Sequence, residues 1–148
     1  IWEIRMTFVC PDCGAVDTGN GTCREIFDSF LALEFSDPVY GEVHMLTVGT
    51  YMIQHYRYTD AALVWICQNM RAFMKGTRTV QEVRDDLNRL ECDNGGKRRI
   101  LRSPKDSPKS RSVWSMTIDA VAEAYDSPER YCELVRGWAD LTLTQLDW

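Results

Sequence analysis

Three of the chain's six cysteines lie close together near its start, and this cluster constrains the fold more than any other feature. Cys10 and Cys13 form a Cys-x2-Cys pair in "CPDCG", and Cys23 follows the turn-rich stretch "AVDTGNGT". A Cys-x2-Cys pair wraps a tight turn that directs both sulfurs at one point, and Pro11 and Gly14 suit such a turn. The pattern predicts an N-terminal zinc knuckle.

The other ligands of this zinc site are predicted downstream of the knuckle. Cys23 is expected in the first turn of a helix, whose dipole favours a thiolate, and would supply a third sulfur. The fourth ligand is expected to be one of the chain's two histidines, His44 and His55. On one straight helix these imidazoles would lie roughly 16 Å apart along the axis, but a helix start at Thr47 would leave His44 in the preceding turn. We favour one histidine as ligand; with both, one cysteine would be a non-ligand.

The compartment of the protein bears on the role of its cysteines. The first residues lack the long apolar core of a secretory signal, and no apolar run is long enough to span a membrane, so we expect a cytoplasmic protein without a membrane partner. In a reducing cytosol, closely spaced cysteines are more often metal ligands or catalytic thiols than disulfides. A thioredoxin-like redox pair is the alternative, but such pairs begin a helix, whereas Gly14 and "DTGNG" follow here.

The rest of the sequence predicts a mainly α-helical bundle with five or six helices. "TCRE" and "TVQE" are capping boxes that begin helices at Cys23 and Val80, and "SDP" ends the first of these helices. Apolar residues at helical spacing predict further helices that begin near Thr47, Asp60, Thr117 and Ser127. The helix from Asp60 is apolar nearly all round, which predicts that it lies at the centre of the bundle.

Length and composition favour one domain. With 148 residues, 45% of them hydrophobic, the chain is expected to fold as a single domain over residues 1–148. Met6 would be a natural start, so residues 1–5 are interpreted as a non-native or upstream extension.

Residues 93–111 differ in composition from the rest of the chain, being rich in Gly, Pro, Ser and basic residues. Between Gly95 and Arg111, seven basic residues face one acid, Asp106, so this segment carries +6 in a chain of net charge −5. We predict a basic flexible loop or a small β-hairpin, with "RRILR" and "SVWSM" as its strands. A basic hairpin can bind phosphate backbones, but no aromatic residue is interleaved for base stacking. Nucleic acid is therefore a possible partner that we do not favour.

Seven stretches of the sequence together resemble one protein family. They are "CPDCG", "GTCREIF", "ALEFSDP", "GEVHMLTVGTYMIQH", "TVQEVR", "VWSMTIDAV" and "YCELVRGWA". In this order they resemble an uncharacterised bacterial family, a domain of unknown function, over nearly the whole chain. The resemblance implies that the clustered cysteines, both histidines and Cys132 are family positions. It also implies two departures from the family pattern. Met45 stands where the family has the second histidine of a paired motif, and Tyr56 stands where it has a proline. A structural metal site that uses His44 or His55 would tolerate both departures.

These features favour a zinc-binding protein whose activity the sequence leaves open. The first hypothesis is a zinc-stabilised binding or adaptor module for an unidentified protein or small-molecule partner, and its candidate ligands are Cys10, Cys13, Cys23, His44 and His55. The second is a hydrolase-like metal-dependent enzyme with three protein ligands and water at an open zinc position. The third is nucleic-acid binding through residues 95–111. No catalytic residue is identified, so the sequence does not decide whether the chain is an enzyme.

Overall fold

The structure, a computed structural model, describes residues 8–93, 100–103 and 111–148, and these residues form a mainly helical fold. The predicted extension at residues 1–5 lies outside these ranges. The helices are α1 (Cys23–Ser36), α2 (Pro38–Gly41), α3 (His44–Gln54), α4 (Asp60–Met74), α5 (Val80–Asp93), α6 (Ile118–Ala124) and α7 (Pro128–Gln145). The prediction of a mainly α fold is confirmed, but the described residues contain seven helices instead of five or six.

The extra helix, α2, arises at the turn that ends α1. Asp37 closes α1, since its N–H donates to Leu33 O at 3.0 Å. The Asp37 carboxylate then accepts from Val39 N at 2.9 Å and caps α2, with Pro38 in the first turn. Asp at the N-cap followed by Pro is a favourable helix start. The "SDP" signal therefore both ends one helix and begins another.

Both predicted capping boxes are present in the structure. Glu25 N donates to the Thr22 hydroxyl at 3.3 Å, and Thr22 N donates to the Glu25 carboxylate at 3.1 Å. The same reciprocal pair joins Thr79 and Glu82, with both distances at 3.2 Å. Each box satisfies two backbone donors that a helix start otherwise leaves without partners. Short-range hydrogen bonding therefore sets the starts of α1 and α5.

Helix α3 begins three residues before its predicted start. Thr47 is not its cap, because the helix begins at His44 and Thr47 N already donates to Val43 O at 2.9 Å. The Thr47 side chain is fully buried, and its hydroxyl donates to Glu34 on α1 at 2.6 Å. His44 is therefore the first residue of α3 and does not lie in a turn before the helix. Thr47 therefore makes a tertiary hydrogen bond with Glu34 and not the N-cap hydrogen bond that the sequence predicted.

Helices α3 and α7 occupy the centre of the core, so the prediction of a central α4 is wrong. The buried side chains of α7 are Tyr131, Val135, Trp138, Ala139, Thr142 and Leu143. Burial of each large apolar side chain contributes about 1.5–3 kcal/mol. The buried Gln54 amide joins the two central helices, since its Nε2 donates to the Thr142 hydroxyl at 3.0 Å. Helix α4 packs on α3 through one face only, with Cys67, Asn69 and Met70 buried.

The predicted β-hairpin is absent from the described residues. Leu101, in its first predicted strand, forms an isolated bridge with Tyr58 instead of pairing with residues 112–116. Arg102 reinforces this bridge, because its guanidinium donates to Tyr58 O at 3.0 Å and pairs with Asp60 at 2.8 Å. Residues 98–99 of the first predicted strand, and residues 104–110 between the two predicted strands, lie outside the described residues.

The second predicted strand is held by a side chain of α7. Gln145 accepts from Ser115 N at 3.1 Å and donates to Val113 O at 2.8 Å. One amide thus satisfies the backbone groups that a partner strand would otherwise bind. Trp114, between these two residues, is buried in the core. None of the described helices combines the length and apolarity that a membrane crossing requires.

Candidate metal centre

The knuckle before α1 is a tight turn closed by its own backbone. Gly14 N donates to Cys10 O at 2.9 Å, and Cys10 N donates to Ala15 O at the same distance. Gly14 has φ +81°, a conformation that glycine adopts at no steric cost. Ala15 N also points at the Cys13 sulfur, at 3.4 Å. The turn therefore brings both sulfurs to one side and gives one of them a backbone donor.

Two helix ends deliver the other members of the cluster. Cys23 is the first residue of α1, directly after the Thr22 cap, so its sulfur lies at the positive end of the helix dipole. His55 is the C-cap of α3, and its Nδ1 lies 2.7 Å from Tyr51 O. A carbonyl can only accept, so Nδ1 carries the proton and Nε2 keeps its lone pair. This carbonyl therefore prepares Nε2 as a metal ligand.

Four potential ligand atoms converge at this point. The sulfurs of Cys10, Cys13 and Cys23 and a His55 ring nitrogen all lie within 4.8 Å of one another. His55 Nε2 lies 3.7 Å from the Cys10 sulfur and 3.4 Å from the Cys23 sulfur. A tetrahedral ion with zinc-like bond lengths would separate such ligand atoms by about 3.5–3.8 Å. The cluster could therefore hold one metal ion with little rearrangement.

The electrostatics of the cluster favour a thiolate at Cys23. A hydrogen bond from the Cys13 thiol is the largest cause that lowers the pKa of Cys23, to about 4. The same hydrogen bond raises the pKa of Cys13, because that thiol supplies the proton. Tyr51, whose ring stacks on His55 at 4.0 Å, has a pKa raised by burial and remains a neutral phenol. These hydrogen bonds favour the thiolate form of Cys23, which is the form that binds a metal.

His44, the other predicted histidine, does not join the cluster. It begins α3, whereas His55 follows the end of the same helix, so about 16 Å of helix axis separates them. The Nδ1 atom of His44 lies 2.7 Å from the Glu34 carboxylate. Of the five candidate ligands, the structure brings together Cys10, Cys13, Cys23 and His55.

Comparison with known families agrees with the resemblance noted from the sequence. Residues 9–147 match the model of a family described as "Family of unknown function (DUF5946)". The chain belongs to the DUF5946 family. No curated protein and no solved structure matches the chain. For this DUF5946 protein, inference about function therefore rests on the geometry of its own residues.

The remaining described cysteines of the DUF5946 chain lie outside the cluster. Cys132, implied as a family position, is half-buried on α7 and donates to Val39 O at 3.1 Å. Burial raises its pKa. Cys67 is fully buried on α4, and burial raises the pKa of its thiol to about 11. Both are thiols at neutral pH and lack the partners that activate Cys23.

Glu34, the most buried acid that the structure describes, was not predicted from the sequence as a site residue. Its side chain is 1% exposed. It accepts from the Thr47 hydroxyl at 2.6 Å and from the Tyr131 hydroxyl at 2.5 Å, in addition to its contact with His44. A signal was available, because position 34 continues the apolar stripe of α1 one turn beyond Phe30. An acid on such a stripe indicates a buried polar site.

Proposed function

We propose that Cys10, Cys13, Cys23 and His55 bind one zinc ion, and that the protein is a zinc-stabilised binding module. The observation that carries this proposal is the convergence of four protein ligand atoms within 4.8 Å of one another. Three thiolates and one imidazole form a ligand set and geometry that zinc favours. Four protein ligands fill a tetrahedral coordination sphere, which is typical of structural zinc and not of catalytic zinc.

The ion would connect parts of the chain that have few other links. Residues 8–22 form turns and a single bridge between Val9 and Val16, with no helix of their own. Zinc would join this segment to the start of α1 and the end of α3, since Cys10 and His55 are 45 residues apart. Structural zinc contributes on the order of 10 kcal/mol to folding. Its role here is to fix the N-terminal segment on the helical core.

The environment and partner are part of the same proposal. Zinc binding requires reduced thiols, which favours the cytoplasm, and the resemblance noted from the sequence favours a bacterial origin. The module is proposed to bind a small molecule or a protein, and nucleic acid is not favoured. Of the basic segment, Arg102 pairs with Asp60 and Arg111 pairs with Asp12 at 2.9 Å, so neither guanidinium is free for a phosphate.

Elemental analysis of the purified, reduced protein tests this proposal. We expect one zinc ion per chain in the wild type and its loss in His55→Gln, because glutamine removes the nitrogen ligand. His44→Gln is the matched control, since it makes the same substitution at the other end of α3 and should retain zinc. Wild-type protein without stoichiometric metal would overturn the proposal. So would a His44→Gln variant that loses zinc while His55→Gln retains it.

A further inference from the structure

A second polar centre lies at the opposite end of α3 from the cysteines. The Glu34 carboxylate is enclosed there by three groups, His44 and Thr47 from α3 and Tyr131 from α7. A buried carboxylate is costly unless its oxygens are hydrogen-bonded, and these contacts satisfy both oxygens. None of the three groups belongs to the proposed zinc site. The centre is therefore an independent feature of the fold.

His44 connects this buried carboxylate to the surface. Its Nδ1 is engaged by Glu34, and its side chain is 37% exposed. Its Nε2 has no hydrogen-bond partner among the described residues, so this nitrogen remains available. The contact with Glu34 therefore fixes the orientation of this polar ring.

The imidazole borders a cavity of about 290 Å³ between α3, α4 and α5. Most of its wall is apolar and includes Met45, Val48, Ile66, Met70, Val83 and Leu87. Asn69 also contributes, but its amide is already occupied by Trp65 O at 2.8 Å and by Arg78 at 2.6 Å. A small apolar cavity with a few convergent polar groups is the usual form of a ligand site.

Arg84 brings a guanidinium to the cavity wall. It makes no ion pair with the described residues, although α5 carries several acids. Of these acids, the ones whose side chains are described are otherwise engaged: Asp85 accepts from Gln81 at 2.8 Å, Asp86 pairs with Arg78 and Arg89, and Glu82 accepts from Thr79 N. A free guanidinium beside an apolar cavity is suited to a carboxylate, which it can bind through two parallel hydrogen bonds.

We propose that this cavity binds small apolar monocarboxylates, with the carboxylate on Arg84 and the hydrocarbon tail between α3, α4 and α5. The charges match, because the guanidinium of Arg84 supplies one positive charge for one carboxylate. This inference deepens the proposed function and rests on its binding role, since it names the class of partner. It does not depend on the zinc ligands, which lie at the other end of α3.

Titration of the zinc-loaded protein with octanoate, followed by calorimetry, tests the inference. We expect saturable binding of octanoate and clearly weaker binding of 1-octanol, which has the same tail without the charge. Arg84→Gln should weaken octanoate binding by about tenfold. Arg89→Gln is the matched control, since Arg89 lies on the same helix, is 74% exposed and pairs with Asp86, and it should bind like the wild type.

A third variant locates the tail. Val48→Trp fills the cavity and should abolish octanoate binding while its circular dichroism and zinc content match the wild type. The inference is overturned if the wild type does not bind octanoate, if octanol binds equally well, or if Arg84→Gln or a folded Val48→Trp binds like the wild type. Zinc content is measured on every sample. Octanoate binding by protein without zinc would overturn only the zinc proposal, and zinc without octanoate binding would overturn only this inference.

Discussion

The two ends of α3 each carry a histidine, and the two imidazoles are held in the same way but face different surroundings. His55 Nδ1 and His44 Nδ1 both lie 2.7 Å from an oxygen, a backbone carbonyl in one case and the Glu34 carboxylate in the other. Beyond His55 Nε2 lie sulfurs, at 3.4 Å and 3.7 Å. His44 instead borders an apolar cavity. Identical residue types therefore form two chemically distinct centres on one helix.

The comparison shows that the surroundings of a histidine, more than its presence, determine what it can bind. Cysteines from the knuckle and from α1 convert one end of α3 into a metal-ligand cluster. At the other end, a buried acid held by two hydroxyls fixes the ring, and the described residues there do not form a group of three or more ligand side chains. Disruption of one end should therefore leave the chemistry of the other end intact.

The largest expected effect is the loss of a sulfur ligand. Cys23→Ser should lower the free energy of unfolding by on the order of 5 kcal/mol or more, because the proposed ion would lose a thiolate and its affinity. Urea unfolding in the presence of zinc measures this loss. Cys132→Ser is the control, since a hydroxyl can still donate to Val39 O, and it should cost less than about 1 kcal/mol. Similar losses in the two variants would contradict the zinc proposal.

The second largest expected loss of stability concerns Glu34, which contacts His44 at the start of α3. Glu34→Ala leaves the hydroxyls of Thr47 and Tyr131 buried without their acceptor and should cost about 3–5 kcal/mol in urea unfolding. Zinc content should not change, because no cluster residue contacts Glu34. Glu133→Gln, at an exposed acid paired with Arg130, should stay within about 0.5 kcal/mol of the wild type. A loss below about 1 kcal/mol for Glu34→Ala would show that the buried carboxylate is not needed.

A smaller effect is expected where α2 approaches α1 behind Glu34. An added Cβ at Gly41 would lie 2.8 Å from Glu34 O, a backbone atom, so Gly41→Ala should cost about 1–3 kcal/mol as measured by thermal unfolding. At Gly137, on the exposed face of α7, an added Cβ meets no atom within 4 Å. Gly137→Ala should therefore stabilise the protein by about 0.5–1 kcal/mol. A gain at both positions would refute the close approach at Gly41.

The smallest effect extends the comparison from histidines to thiols. Burial alone raises the pKa of Cys67 from 9.0 to about 11, whereas partners lower that of Cys23. In the unfolded chain the Cys67 thiol ionises near pH 9, whereas in the folded protein it stays protonated until about pH 11. The contribution of this thiol to the free energy of unfolding is therefore complete below pH 9 and is lost as pH rises through 11. The loss should reach up to about 2 kcal/mol. Urea unfolding of wild type and Cys67→Ala across this range tests it, and a constant difference between them would contradict the assignment.

Local signals made much of this fold predictable. The capping boxes at Thr22 and Thr79, the Ser127 cap and the knuckle all depend on residues within a few positions of one another. The three-cysteine part of the cluster was predictable for the same reason. The choice of His55 over His44 was not, because it depends on where α3 begins. Thr47 is buried against Glu34 and does not cap the helix, and no local pattern reveals that contact.

The incorrect prediction of a β-hairpin has a comparable cause. Residues 112–116 have the alternation of a strand, but the Gln145 amide, some 30 residues away, satisfies their backbone groups. Leu101 pairs with Tyr58, which precedes the whole of α4. Such long-range pairings depend on the assembled core, which is why periodicity alone predicted the wrong partner. Glu34 was missed for the related reason that its three donors come from two later helices.

X-ray absorption at the zinc edge of the intact, reduced protein tests the central claim most directly. Three sulfur neighbours at about 2.3 Å and one nitrogen at about 2.0 Å are expected. His44→Gln should leave this spectrum unchanged, because His44 binds Glu34 at the far end of α3. A shell with two or fewer sulfurs, with an oxygen neighbour in place of the imidazole, or with a spectrum altered by His44→Gln would contradict a closed site built from Cys10, Cys13, Cys23 and His55.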